Sequence, residues 1–301
     1  GKAERLFTGH NRVEKNFLVN YINAPQLPNL PKGMLPMCYP ADFEDGTFIP
    51  NWALWFIIEL EDYFRRTQDG ALVQSAKEKV FSVLDYFKAF LNGDGLLEDL
   101  KGWIFVEWSK ANDADFVSGV NYPSNMLYAF ALECAGRLYG KKEFLTQCKK
   151  IKQTIREQSY NGVFFEDNKI RQDGRLVSLG HMSETCQYYA FYFGVATVEE
   201  DPVLFDRMLS LFGPKRDAKK MFPEVAPSNV FIGDYLRLDF LRRCGCLEQV
   251  ASETVDYFFA MAERTGTLWE HDSPYASLNH GFASYIANMI VECVTGIHEI
   301  D

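Results

Sequence analysis

Apolar residues recur at helical spacing along most of the 301-residue chain. Segment 73–91 is representative, because its apolar residues share one helix face and the pattern ends at Asn92-Gly93, a helix stop signal. The same spacing predicts further helices over residues 3–22, 49–63, 124–139, 142–158, 184–193, 202–212, 228–244, 247–262 and 277–294. With about ten or eleven helices, no alternation of strands and helices and no detectable repeat, the chain is predicted to be an all-α toroid.

Some segments between the helices are predicted to shape one end of this toroid. Residues 101–109, 161–167 and 170–177 have the character of short strands. Residues 25–50 are rich in Pro and Gly and are long for a structureless connection, and connections of this length usually carry function. We therefore expect short strands and an extended loop around a pocket. Segment 184–193 has aromatic residues around most of its circumference, as expected of an inner helix.

Composition and charge exclude several classes of protein. Hydrophobic residues make up 47% of the chain and aromatic residues 15%, which suits a large core and a pocket lined with rings. The net charge of −10, with no basic patch, argues against binding to nucleic acid or to an anionic membrane. No apolar run approaches the ~20 residues that span a bilayer. The odd number of seven cysteines indicates small buried side chains, and neither a metal site nor a cofactor is predicted.

Residues 266–280 hold the densest group of candidate catalytic side chains. Gly266 and Pro274 mark this stretch as a loop between two helices. Within it, Glu270 follows Trp269, so a carboxylate lies next to a large apolar ring, an environment that can tune a pKa for acid–base chemistry. A helix cap at residue 277 or 279 would leave His280 in the first turn of the next helix, facing the loop. The alternative is a solvated loop acid and a histidine with a capping role.

Three segments resemble the catalytic domain of α-L-rhamnosidases, glycoside hydrolase family 78. They are Thr267-Leu-Trp-Glu-His271, Ser277-Leu-Asn-His280 and Cys293-Val-Thr-Gly-Ile297, and a weaker likeness extends over nearly the whole chain. The resemblance implies an (α/α)6 barrel whose loops at one end form the substrate pocket. It also implies inverting hydrolysis with Glu270 as the general base and with His280 in contact with the sugar. Trp269 joins the expected substrate-binding residues, since indole rings stack on sugars.

The resemblance implies two further aromatic positions in the pocket. Trp52 at the start of its helix is expected to face the sugar, whereas Trp55 is expected to enter the core; a core position is the alternative for both. Glu107-Trp108 resembles an Asp-Trp pair of the family, whose Trp stacks near the bound sugar. Here Glu replaces the more common Asp, which leaves the contact of the carboxylate open.

The general acid is missing from the expected place. Inverting hydrolysis requires two carboxyl groups roughly 6.5–9.5 Å apart. In the family the acid belongs to an Arg-x-Glu-Arg-x-Gly-Trp segment that would precede residue 2, and the run Lys2-Ala-Glu4-Arg5-Leu6 lacks its Gly-Trp. We therefore expect residues 1–301 to be one (α/α)6 domain, short at its N-terminus, from a longer enzyme that carries the acid upstream. Weaker internal candidates for the acid are Glu4, Asp42, Glu44, Asp45, Glu107 and Asp115.

Two classes of function follow from this sequence. The first is a bacterial glycosidase that removes terminal α-L-rhamnose from glycans or glycosides, in the periplasm or outside the cell if the resemblance holds. The second is a non-catalytic carbohydrate-binding domain or pseudoenzyme. Another glycosidase with an α/α toroid, such as an unsaturated-uronide hydrolase, would require a basic group for the substrate carboxylate, and no Arg lies beside the pocket motifs.

Overall fold

The computed structural model describes residues 1–41, 45–216 and 221–296. These residues form eleven α-helices: α1 (Lys2–Thr8), α2 (Arg12–Asn23), α3 (Pro50–Thr67), α4 (Gly70–Lys88), α5 (Tyr122–Tyr139), α6 (Lys142–Ser159), α7 (Glu184–Tyr192), α8 (Pro202–Leu211), α9 (Gly233–Arg243), α10 (Leu247–Thr265) and α11 (Ile286–Thr295). Two 3-10 turns cover Lys110–Asn112 and Gly281–Tyr285. No helix among the described residues is both long enough and apolar enough to cross a membrane.

The helices form two concentric rings. Within the inner ring α3 packs on α5, α5 on α7, α7 on α9, α9 on α11 and α11 on α1. Arg5 of α1 closes the ring, because its guanidinium donates to the carbonyl of Arg66 on α3 (3.4 Å). Outer helices α2, α4, α6, α8 and α10 each follow one inner helix. The predicted all-α toroid is therefore confirmed, and α1, with seven residues, is the shortest of the α-helices described above.

The inner helices run parallel to one another. Asn51 at the start of α3 donates to the Ser124 hydroxyl at the start of α5 (2.9 Å). Near the other end of the same helices Arg137 donates to Glu61 (2.8 Å). The short strands β4 (Met182–Ser183) and β5 (Val225–Ala226), which lead towards α7 and α9, pair in parallel. The starts of the inner helices therefore gather at one end of the toroid.

Long loops gather at that same end. Residues 24–41 and 45–49, 89–121, 160–183, 212–215 and 221–232, and 266–285 lead into inner helices, whereas the connections from inner to outer helices are mostly two or three residues long. The long loops include a small antiparallel sheet in the order β1 (Val120–Asn121), β2 (Asn168–Gln172) and β3 (Arg175–Ser178). The irregular segments of the toroid therefore lie together on one face.

The core between the rings is strongly aromatic. Tyr188 and Tyr189 on α7 are completely buried, which confirms α7 as an inner helix. Arg237 of α9 is also fully buried, and it is neutralised by Glu253 through two 2.7 Å hydrogen bonds.

The short connections contain strong helix stop and start signals. Gly140 adopts a left-handed φ of 64° after α5, and the Asp69 carboxylate caps α4.

Some predicted elements were wrong in detail, among them the strand predicted over 161–167, where no strand forms, and the helix predicted from residue 228, which begins at Gly233. The predicted helix 3–22 is divided in two, because Gly9 has a left-handed φ of 72° and the Glu4 carboxylate accepts the first N–H groups of α2. Residues 101–109 form no strand, since the N–H groups of Phe105 and Val106 donate to the side chains of Asn51 and Asn112. The last helix begins at residue 286, so His280 precedes a 3-10 turn.

Candidate active site

The loop between α10 and α11 folds back on itself. The N–H of Glu270 donates to the carbonyl of Ser277 (2.9 Å), and the N–H of His280 donates to the carbonyl of Leu268 (3.0 Å). Neighbouring side chains on an extended segment point in opposite directions. Trp269 accordingly enters the core, with 4% of its surface exposed, whereas Glu270 stays partly accessible on the other side.

The Glu270 carboxylate is oriented by two donors from different parts of the chain. Its Oε1 accepts a hydrogen bond from the indole Nε1 of Trp108 (3.0 Å), and its Oε2 accepts one from the backbone N–H of Ser277 (3.3 Å). One donor to each oxygen fixes the plane of the carboxylate and leaves lone pairs on both oxygens for a further partner. A carboxylate with this geometry can accept a proton from a water molecule.

Trp108 is held by other aromatic rings. Its ring centroid lies 4.9 Å from that of Phe105 in an edge-to-face arrangement, and 6.5 Å from that of Phe231. His271, next to Glu270, lies 6.0 Å away on the loop before α11. Contacts at these distances restrict the indole and hence the direction of its N–H.

Glu107 anchors this segment to the start of α9. Its carboxylate is fully buried and accepts from the N–H groups of Ile232 (2.8 Å), Gly233 (2.9 Å) and Asn229 (3.1 Å) and from the Thr185 hydroxyl (3.1 Å). Burial raises the pKa of Glu107 to about 7, while these four donors favour its ionised form. Its position at a helix N-terminus, where backbone N–H groups lack helical partners, explains its role in stabilising the fold.

Asn229 links three segments of the site. Its side-chain NH₂ donates to the backbone carbonyl of Trp108 (2.8 Å) and to Asp272 (3.1 Å), and its Oδ1 accepts from the N–H of Asp272 (3.2 Å). The loop before α9 therefore holds both the Trp108 segment and the Glu270 loop. Neither sequence pattern nor resemblance indicated this residue.

An open cleft lies beside this assembly. Its volume is about 420 Å³, and its lining residues are Trp108, Ser109, Asn112, Asp113, Asn229, His271, Asp272 and Ser273. Polar groups surround one indole, which is an arrangement suited to a ligand with hydroxyl groups and an apolar face. Among the described residues, no group of three or more His, Cys, Asp or Glu side chains is arranged to hold a metal ion.

The other residues predicted from the sequence lie at different distances from Glu270. His280 is near the assembly: its ring lies 5.7 Å from Phe231, and its buried Nδ1 has no hydrogen-bonding partner among the described residues. Trp52 reaches the aromatic group through an edge-to-face contact with Phe105 (5.9 Å). The indole of Trp269 is directed away, since its Nε1 donates to Thr265 (2.8 Å) and Arg264 covers its ring.

The internal candidates for the general acid are scattered. Glu4 of the inner helix α1 caps the outer helix α2, because its carboxylate accepts from the N–H groups of Val13 and Glu14. This cap lies at the end of the toroid away from the site. Asp45 is exposed and accepts from the N–H of Thr47. Asp115 is also exposed and lies 3.4 Å from His181. Asp42 and Glu44 lie outside the described residues.

The architecture is similar to that of solved rhamnosidases. A family 78 rhamnosidase of Bacillus sp. GL1 superposes with a TM-score of 0.78 at 17% identity, over 97% of this chain and 30% of that protein. A rhamnosidase from Klebsiella oxytoca, solved with rhamnose bound, gives 0.74 at 13% identity, over 98% of this chain and 56% of that protein. The fold is that of the toroid domain of these rhamnosidases. This confirms, at the level of fold, the resemblance drawn from the sequence motifs.

The chain spans about a third to a half of the length of these two proteins. Comparison with models of protein families gives no match, and comparison with curated proteins gives none either. The agreement therefore lies in the three-dimensional arrangement of helices and not in overall sequence.

Proposed function

We propose that residues 1–301 form the catalytic domain of an inverting α-L-rhamnosidase, with Glu270 as its general base. The observation that carries the proposal is the carboxylate of Glu270, oriented by Trp108 and Ser277 beside the cleft that Trp108 lines. The likeness to two rhamnosidases, one with rhamnose bound, supports the choice of sugar.

The proposed reaction follows from the chemistry of inversion. A water molecule hydrogen-bonded to Glu270 attacks the anomeric carbon as Glu270 accepts its proton, and the bond to the leaving oxygen breaks as a general acid protonates that oxygen. The product is β-L-rhamnose, of opposite configuration to the substrate. The Trp108 indole holds Glu270 in position for this step. The resemblance to the family implies that His280 contacts the sugar.

The general acid is proposed to lie upstream of residue 1. Glu4 caps a helix away from the site, and the Glu107 carboxylate is engaged by four donors inside the protein. Asp113 and Asp272 line the cleft but are exposed to solvent. A polypeptide extended towards the N-terminus is therefore the form in which we expect turnover.

The first test is a tryptophan-fluorescence titration of this chain with L-rhamnose, with D-glucose as the control sugar. A saturable change for L-rhamnose alone, lost in Trp108→Ala, supports the site. Trp55→Phe is the matched control, since Trp55 packs on Phe193 in the core and should leave the response intact. The absence of any saturable response to L-rhamnose would contradict the proposal.

The second test separates an enzyme from a binding domain. The N-terminally extended polypeptide is incubated with an aryl α-L-rhamnoside, and the first-formed anomer is observed by NMR. Initial β-L-rhamnose supports inversion. Binding of rhamnose without hydrolysis by the extended form would favour the non-catalytic alternative.

A further inference from the structure

A second cleft adjoins the one beside Glu270. Its volume is about 500 Å³, and its lining residues are Asp99, Leu100, Lys101, Gly102, Trp103, Ile104, Asn112, Ala114, Val117, Ser118 and Gly119. Asn112 lines both clefts, so the two are neighbours along one surface. The two clefts therefore meet at Asn112.

Trp103 in this second cleft is rigid and yet exposed. The backbone at Trp103 is held by a hydrogen bond from its N–H to the carbonyl of Phe48 (2.9 Å). Its ring contacts those of Phe105 and Trp108, with both centroids 5.7 Å away. It nevertheless keeps 40% of its surface exposed, and its Nε1 has no partner among the described residues.

The backbone conformation at Gly102 places the Trp103 ring at the surface. Gly102, immediately before it, has a left-handed φ of 89°, and a Cβ at this position would overlap the ring of Phe48. Only glycine satisfies both conditions without strain. A large ring that is rigidly positioned but not buried is an expected feature of a binding platform, because little conformational entropy is lost when a ligand stacks on it.

Asn112 supplies an oriented donor where the two clefts meet. Its Oδ1 accepts from the N–H of Val106 (2.8 Å), which fixes the direction of the amide group. The NH₂ of the same amide has no partner among the described residues. A hydroxyl or ring oxygen of a ligand lying across both clefts is a suitable acceptor for it.

We propose that this second cleft binds the sugar residue to which the terminal rhamnose is attached. The inference rests on the proposed function, because it assumes that rhamnose occupies the first cleft. Trp103 would stack on the apolar face of this second sugar, and Asn112 would donate to an oxygen near the glycosidic bond. Asp99 and Lys101 bring one charge of each sign, so an uncharged sugar fits better than a uronic acid. The substrate class is thus a rhamnose-terminated oligosaccharide.

Calorimetric titration with L-rhamnose and with a disaccharide of α-L-rhamnose linked 1→6 to glucose tests this. We expect the disaccharide to bind about tenfold more tightly, equivalent to about 1.4 kcal/mol. Trp103→Ala should remove this gain and change the affinity for L-rhamnose alone by less than about threefold, a difference of about 0.6 kcal/mol. Asn112→Asp, which keeps the acceptor for Val106 but loses the donor, should reduce the gain as well. Phe259→Ala, at an aromatic residue 56% exposed on α10, is the control and should change neither affinity.

The possible results separate this inference from the proposed function. If L-rhamnose binds but the disaccharide binds no better, or if Trp103→Ala weakens both ligands equally, the second sugar site is overturned and the rhamnose site stands. If Trp103 raises the affinity for a 4-nitrophenyl α-L-rhamnoside as much as it raises the affinity for the disaccharide, the cleft selects aromatic groups and the inference is wrong. If neither sugar binds, both proposals fail together.

Discussion

The indole N–H of Trp108 donates a hydrogen bond to the Glu270 carboxylate at 3.0 Å, although 162 positions separate the two residues in sequence. One residue precedes α5 and the other precedes α11. The parallel inner helices bring both loops to the same end of the toroid. Asn229, on a third loop, then holds them together through Trp108 and Asp272.

Glu270→Gln should reduce turnover by ~10²–10⁴-fold in the N-terminally extended enzyme, since the amide cannot accept the proton of the attacking water. It still offers an oxygen to Trp108, so L-rhamnose should bind with little change. Steady-state hydrolysis of an aryl rhamnoside and a fluorescence titration measure the two effects. Unchanged turnover would exclude Glu270 as the base.

Trp108→Phe should lower kcat by about tenfold, because it removes the donor to Glu270 and a misplaced general base loses part of its typical 10²–10⁴-fold contribution. The phenyl ring retains the contacts with Phe105 and Phe231, so the melting temperature should change little. Kinetics and thermal unfolding on the same preparation check this. A large loss of stability with normal kcat would make Trp108 a structural residue.

Trp269→Phe should lower stability and leave sugar binding unchanged, the reverse of the pattern expected for Trp108→Phe. It removes the donor to Thr265 from a side chain that is 4% exposed, so the free energy of unfolding should fall by about 1–2 kcal/mol. Affinity for L-rhamnose should be unchanged. Urea unfolding and sugar titration measure these quantities. Weakened sugar binding with normal stability would instead place Trp269 in the pocket, as the sequence predicted.

Glu107→Gln should destabilise the protein by roughly 1–3 kcal/mol at pH 5, because the amide brings two N–H groups to a site lined with donors, whereas the protonated carboxyl brings one O–H. Burial raises the pKa of Glu107 from 4.5 to about 7, so the folded protein holds this proton more tightly than the unfolded chain. The stability that this group contributes is therefore fully present below about pH 4.5 and is lost as the pH rises through about 7.

The wild-type advantage over Glu107→Gln should accordingly shrink between pH 4.5 and 7, by at most about 1.4 kcal/mol per pH unit. Urea unfolding of both proteins at several pH values measures the difference and cancels the contribution of other titrating groups. A constant difference across this range would contradict the raised pKa.

Gly233→Ala should lower both stability and affinity for L-rhamnose. A Cβ at this first residue of α9 would overlap Glu107 Oε2 and lie 2.8 Å from the Cβ of Ser228, so Glu107 and the attached Trp108 segment must move. Gly70→Ala is the matched control: Gly70 is the first residue of α4 and has nothing within 4 Å of the new Cβ. The control should be neutral or more stable by about 0.4–1 kcal/mol. Equal effects at the two positions would refute this account.

Most helices could be predicted from the sequence, because amphipathic segments such as α6 carry their apolar face locally. Details that depend on tertiary contacts could not. The strand-like residues 101–109 donate their N–H groups to distant asparagine side chains, and no local pattern reveals such partners.

Candidate site residues were predicted unevenly for the same reason. Glu270, Trp108 and His280 were found through motifs, whereas Asn229 and Phe231 lie in an unremarkable stretch and acquire their positions only through the ring. The engagement of Glu107 with the start of α9 also depends on a segment more than a hundred residues away. Trp103 lies in the strand-like segment 101–109, and nothing in that sequence indicates that 40% of its surface is exposed.

Short connections lie at one end of the toroid and long loops at the other. This division affects which parts of the sequence can change during evolution. Each long loop is anchored at both ends by helices that pack on one another. Apart from loop residues that hold the fold, such as Glu107 and Trp269, substitutions there alter what is recognised at little cost to the scaffold. This separation helps explain how a backbone arrangement persists in proteins that share only 13–17% of their residues with this one.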